Sequence, residues 1–162
     1  MATPTYTLID STTLASSASS VTFSSIDQSY GDLVLAIEVS SGSSTARPAL
    51  RFNGDTGNNY FAVVAVNNTS NTSHTISYLR LETDYSIQNG TLLGSCQIMD
   101  YSATNKHKSV LIRNDSPSRG VAGMIAGRWA NNSAISSIEL LSYGGDFLAG
   151  GTVYLYGILK AL

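Results

Sequence analysis

Apolar and polar residues alternate along this chain over short stretches and rarely recur at helical spacing. Leu33, Leu35, Ile37 and Val39 share one parity, with Val34, Ala36 and Glu38 between them. This is the period-two pattern of a half-buried strand, in which successive side chains point to opposite faces. Similar short runs recur at 6–9, 21–23, 49–52, 60–66, 74–81, 92–99, 109–113, 120–129, 135–143 and 152–159. Polar turn residues separate them, and the Asn53-Gly54 step is a tight-turn signal because both residues tolerate positive φ. The Ser/Thr/Asn stretch 67–73 reads as a long hairpin loop, and 12–20 and 131–134 as short turns. Glycines 120, 123 and 127 fall on or near one apolar run, where a strand glycine marks a bulge or close backbone packing. The pattern predicts an all-β fold of about ten strands, an antiparallel β-sandwich of jelly-roll type. No linker or repeat divides the chain, so residues 1–162 are expected to form one domain.

Composition narrows the functions open to such a fold. The hydrophobic fraction is 43%, ordinary for a globular chain, while the charged fraction of 12% is about half the usual quarter. Ser, Thr, Asn and Gly replace the missing charges and suit turns and flat neutral surfaces. A net charge of −2 argues against nucleic-acid binding, which draws its affinity from phosphate neutralisation. The only basic cluster, Lys106-His107-Lys108, reads as a solvated turn. No apolar run approaches membrane-spanning length, and no basic segment followed by an apolar one suggests a signal peptide. The single cysteine, Cys96, excludes an intramolecular disulfide and alternates with Ile98 as a small buried hydrophobe would.

Catalytic and metal-binding patterns are not recognisable. The sequence has no phosphate-binding loop, no HExxH and no GxSxG. His74 and His107 lack metal-ligand spacing, and the carboxylates Glu38, Asp55, Glu82, Asp84, Asp100 and Glu139 are scattered. Asn53, Asp55 and Asn58 offer oxygens near glycines, but turns favour the same residues. The expectation is a protein with no catalytic residue, no cofactor and no metal.

Binding is the alternative to catalysis. Tyr154 and Tyr156 lie on one face of the last strand, and Val153 and Leu155 on the other. A strand apolar on both faces should be central in its sheet or covered by a neighbouring subunit. Tyr154, Tyr156 and Trp129 are therefore candidate oligomer or partner contacts. Tyr60, Tyr101, Trp129 and Tyr143 could instead stack on sugar rings if they surfaced together, against a core-packing reading for most of them. Trp129 shares its strand face with Val121 and Ile125.

Three blocks carry a further signal: LIDSTTLASSASSVTFSSIDQSYGDLVL, RFNGDTGNNY, and RWANNSAISSIEL followed by GGDFLAGGTVYLYGI. In order and spacing they resemble small structural proteins of tailed-bacteriophage virions. The resemblance implies a jelly-roll-like module on the virion exterior, as a head decoration or cement protein or a tail-fibre part. The chain begins at Met1 and carries no fibrous repeat, which favours decoration of the capsid. The partners so implied are the major capsid protein or other virion proteins and further copies of the chain, as a homotrimer. Synthesis would be in the host cytoplasm. The alternative function is a tail-fibre or receptor-binding module that recognises a host surface glycan.

Overall fold

In the computed structural model, β3 (Asp32–Ser40) follows the alternation its sequence predicts, with Leu33, Leu35, Ile37 and Val39 buried. The structure describes residues 4–66, 69–81, 87, 89–117 and 120–160, without the side chains of 69–75 and 121. Glu82 and Asp84, and the side chains of His74 and Val121, thus lie outside the described residues.

The other strands are β1 (Tyr6–Thr13), β2 (Ser20–Phe23), β4 (Arg47–Phe52), β5 (Tyr60–Val66), β6 (Thr69–Ile76) and β7 (Leu79–Arg80). They continue with β8 (Thr91–Met99), β9 (Lys108–Ser116), β10 (Val121–Trp129), β11 (Ile138–Tyr143) and β12 (Thr152–Ile158). Eight strands form one antiparallel sheet in the order β1-β12-β3-β8-β9-β10-β5-β6, and four form a second in the order β2-β11-β4-β7. The inward faces meet in one core that includes Phe23, Leu35, Leu50, Phe52, Ile112, Ile125, Ile138 and Leu155. The antiparallel β-sandwich is as expected. No helix of the described residues is long and apolar enough to cross a membrane.

Three local expectations are revised. The run 74–81 does not form one strand: β6 ends at Ile76, Ser77 and Tyr78 bend, and β7 joins the other sheet. The stretch 67–73 is not a loop throughout, because β6 begins at Thr69 and pairs with β5. Polar composition hid a strand whose backbone bonds come from its partner. Residues 135–137 precede β11 rather than belonging to it.

Gly127 shows why a strand glycine was needed. A Cβ there would lie 2.6 Å from Cδ1 of Leu79, so the missing side chain lets Leu79 of the smaller sheet pack against the larger one. Asn53 and Gly54 adopt φ of 52° and 64°, and Asp55 N–H donates to the Phe52 carbonyl at 2.9 Å. This is the positive-φ tight turn the Asn-Gly step predicts.

That turn leads into a corner where polar groups saturate one another. The Asp55 carboxylate accepts from Trp129 Nε1 at 2.7 Å, Gly57 N–H at 2.8 Å and Asn59 Nδ2 at 2.9 Å. Burial alone would push the Asp55 carboxyl up, but the hydrogen bonds from Asn59, Trp129, Gly57 and Asn131 outweigh it and leave it below its usual value. The Asn53 amide donates to the Ala134 carbonyl and accepts from the Ser136 and Ser137 N–H groups. Asn53 and Asp55 are thus occupied by the fold's own donors and acceptors, and the turn reading holds.

Lys108 departs from the solvated-turn expectation. Its side chain is fully buried, and Nζ donates to the carbonyls of Ala103 at 2.8 Å, Lys106 at 2.9 Å and Asn132 at 3.4 Å. Three donors meet three carbonyls, which offsets the cost of taking the ammonium out of water. Desolvation pushes its pKa down. Lys106, by contrast, is exposed and pairs with Asp100 at 3.0 Å.

Candidate interaction face

Because side chains alternate, the strands that build the core also build the outer face of the eight-stranded sheet. The register sets which outward residues stand side by side. Leu8 opposes Tyr156, Tyr156 opposes Val34, and Val34 opposes Gln97. Gln97 then opposes Leu111, Leu111 opposes Ala126, and Ala126 opposes Val63. This uncharged band crosses seven strands, roughly 30 Å at the usual spacing between strands. Leu8 is 52% exposed and Val63 47%.

The next row runs Tyr154, Ala36, Ser95, Arg113, Met124, Ala65. Its small residues leave a dip. A shallow hollow of about 240 Å³ lies there, lined by Ala36, Glu38, Leu93, Thr152 and Tyr154 among others. A second hollow of about 370 Å³ adjoins it and is bordered by Leu93, Ser95, Arg113 and Asp115. On the other side of the band, Asp32 precedes Leu33, which pairs with Ile98. Extending that register by one residue gives the row Asp32, Met99, Ser109, Arg128, Phe61. Arg128 stacks its guanidinium over the Phe61 ring at 4.4 Å. Asp32 accepts from Asp100 N–H at 2.9 Å and Gln97 Nε2 at 3.3 Å.

The tyrosines of the last strand lie on this face. Tyr154 is 38% exposed and Tyr156 half-buried, with ring centroids 6.3 Å apart, while Val153 and Leu155 are fully buried beneath them. Strand β12 sits between β1 and β3, so its edges are paired and its outer face remains open.

Trp129 does not join them. It is 1% exposed, edge-on to Phe52 at 5.7 Å and bonded to Asp55, so the expectation of a partner contact is corrected to a core role. Tyr60 and Tyr101 are also fully buried, and burial pushes each phenol up to about 12. Tyr143 is half-buried on the smaller sheet, 4.4 Å from the Tyr78 ring, with its hydroxyl accepting from Arg51 Nη2. The four aromatics considered as a sugar-stacking set therefore do not surface together. Sequence reasoning missed Leu8, Leu111, Met124 and Val63 as surface groups. Their signal was the parity opposite to the buried residues, which becomes a band only once strand order is known.

No family model and no curated protein sequence matches the chain. Among solved structures, exo-inulinase from Aspergillus awamori matches with a TM-score of 0.52 and 17% identity, over 94% of this chain. The chain spans 29% of the length of that enzyme. Galectin LEC-6 of Caenorhabditis elegans matches at a TM-score of 0.37 and 12% identity, over 99% of both chains. Toad ovary galectin, in complex with thio-digalactose, matches at 0.40 and 12%, over 85% of this chain and 98% of that one. At 17% identity the exo-inulinase likeness bears on the fold alone, and the chain's own two-sheet topology makes it an antiparallel β-sandwich.

Proposed function

We propose that the chain is a non-enzymatic structural protein of a tailed-phage virion, a decoration or cement protein that binds the outside of the head shell. The observation that carries this reading is the open outer face of the eight-stranded sheet, with its uncharged band from Leu8 to Val63. Contiguous exposed apolar groups on a sheet mark a surface for another protein. The rim of Asp32, Glu38, Arg113, Asp115 and Arg128 supplies the polar border such surfaces carry. The three sequence blocks that resemble phage virion proteins support the virion setting. Carboxylates with structural partners support a binding role over catalysis: Asp55 serves the corner, Glu139 pairs with Arg51 at 3.2 Å, and Asp100 pairs with Lys106.

A second reading is recognition of a host glycan. The hollow beside Tyr154 favours it, since an aromatic ring next to Glu38, with Arg113 and Asp115 beyond, suits a sugar's apolar face and hydroxyls. Particles made without the protein separate the two. Particles that assemble but lose heat or osmotic stability, restored by adding the protein back, support the cement role. Normal stability with failed host adsorption overturns it in favour of glycan recognition.

A further inference from the structure

We propose that two copies of this chain pack the outer faces of their eight-stranded sheets together across a two-fold axis parallel to the strands and passing between β8 and β9. Asp32 of each copy then meets Arg128 of the other, and Met124 of each enters the hollow over Ala36 of the other. The inference rests on the reading of this face as a protein-binding surface and names a second copy as its occupant in the free protein; because one face cannot hold a second copy and the head shell at once, seating on the particle requires the pair to part.

The argument comes from strand order. The two central strands of the sheet are β8 and β9. A two-fold axis between them exchanges β8 with β9, β3 with β10 and β12 with β5, and it leaves each row facing itself. In one row this sets the carboxylate of Asp32, on β3, against the exposed guanidinium of Arg128, on β10. The Asp32 carboxylate, already accepting two hydrogen bonds, has lone pairs left for a cation. In the band, Tyr156 faces Val63 and Val34 faces Ala126, apolar against apolar, while the Gln97 side chain faces Leu111 beside the axis. In the next row, Ala36 on β3 faces Met124 on β10. Ala36 lines the hollow of about 240 Å³, and Met124 is 50% exposed, so a small residue at the bottom of a hollow receives a protruding side chain. Arg113 faces Ser95, one row from Glu38, while Asp115 faces Leu93, the direct neighbour of Glu38, so these rows add no net charge complementarity to the Asp32–Arg128 pairs. Sheets that pack face to face do so with strands about 30° off parallel, which concentrates contact on the central strands. The charge pairs and the knob come from β3 and β10, which flank the central strands β8 and β9. The closed two-fold pair satisfies both copies with one patch and leaves no open end. It replaces the threefold count that the sequence resemblance implies.

The test is the solution mass of the purified chain with two charge reversals. Wild type should sediment as two copies. Asp32→Arg sets Arg against Arg and Arg128→Asp sets Asp against Asp, so each alone should weaken self-association by at least about tenfold. An equimolar mixture of the two variants should restore pairing, because each mixed pair contains two opposite-charge contacts. Should Asp32→Arg fail to fold, Arg128→Asp and Met124→Ser decide, since both residues are exposed and each change should shift the chain to monomer. A monomeric or trimeric wild type, single variants that still pair, or folded variants whose mixture stays monomeric would overturn the proposal. Particle stabilisation by a chain that remains monomeric would remove the pair and leave the cement reading standing.

Discussion

The corner around Asp55 and the outer face of the larger sheet differ in what their side chains meet: the first is closed by its own hydrogen bonds and the second is left open. At the corner, Asn53, Asp55, Asn59 and Trp129 satisfy one another, and the indole is 1% exposed. On the outer face, Leu8, Val63, Met124 and Tyr154 stand open, with Ala36 and Ser95 leaving hollows between them. The block RFNGDTGNNY contributes Asn53, Asp55, Asn59 and Tyr60, and RWANNSAISSIEL contributes Trp129. Much of what makes these two blocks recognisable is thus what the corner needs in order to fold. The open face is divided: Leu8, Asp32, Val34, Arg128, Tyr154 and Tyr156 lie within the blocks, and Leu93, Leu111, Arg113 and Met124 outside all three. The corner is thus contained in the blocks, while the face is covered by them only in part and has to be assembled from the structure.

If that division is right, the largest effect belongs to the corner. Trp129→Ala should destabilise the fold by about 3–5 kcal/mol, as large aromatic truncations in cores do. Chemical denaturation measures it, and a loss under about 1 kcal/mol would put the indole outside the core. Asp55→Ala should cost less, about 1–3 kcal/mol, because it orphans the Trp129 N–H and neighbouring donors while removing little apolar area. Its effect should not add to that of Trp129→Ala, and strict additivity in the double variant would show that the bond contributes nothing.

Titration acts on the corner at the acid end through Asp55 and at the basic end through Tyr60, with Tyr101, bonded to the Asp27 carbonyl elsewhere in the core, adding to the basic limb. Asp55 has a folded pKa below its ordinary 3.8, so its contribution is present above that value and is lost as pH falls through the lower folded one. Tyr60 and Tyr101 have folded values raised from 10.0 to about 12. Their contribution is complete below pH 10 and is lost as pH rises towards 12. Melting temperatures across both ranges check this. An Asp55→Asn variant should flatten the acid limb, and an acid limb of unchanged steepness would assign it to other carboxylates.

Much of this fold was legible in the sequence because alternation and turn chemistry are local. Leu33 to Val39 declared its buried face, and Asn53-Gly54 declared its turn. Legibility failed where partners are distant. Thr69–Ile76 is polar and becomes a strand because β5 completes its hydrogen bonds. Lys108 looked solvated because no residue pattern shows that the preceding loop turns the Ala103 and Lys106 carbonyls onto its ammonium, and a third carbonyl comes from the distant Asn132. The candidate face was half legible. Tyr154 and Tyr156 could be assigned to the outer side of the last strand, but the band from Leu8 to Val63 needs the order of seven strands, which no local pattern encodes.

The smallest expected effect on stability is the sharpest test of the comparison. Leu111 lies beside Gln97, the middle residue of the band, and is 36% exposed, whereas its neighbour Ile112 points inward and is fully buried. Leu111→Ser removes apolar surface that folding leaves partly in water, so stability should move by no more than about 0.5 kcal/mol. Ile112→Ala opens a cavity in the core and should cost about 2–5 kcal/mol. Binding should reverse the order. Leu111→Ser replaces a contact at the middle of the proposed interface, so self-association or particle binding should fall while the melting curve stays put. Ile112→Ala should leave binding intact wherever the variant is still folded. If Leu111→Ser changed neither stability nor binding, the band would be ordinary exposed apolar surface, which soluble proteins carry without consequence. If it lowered stability as much as Ile112→Ala, Leu111 would belong to the core and the outer face would be narrower than its strand pairing implies.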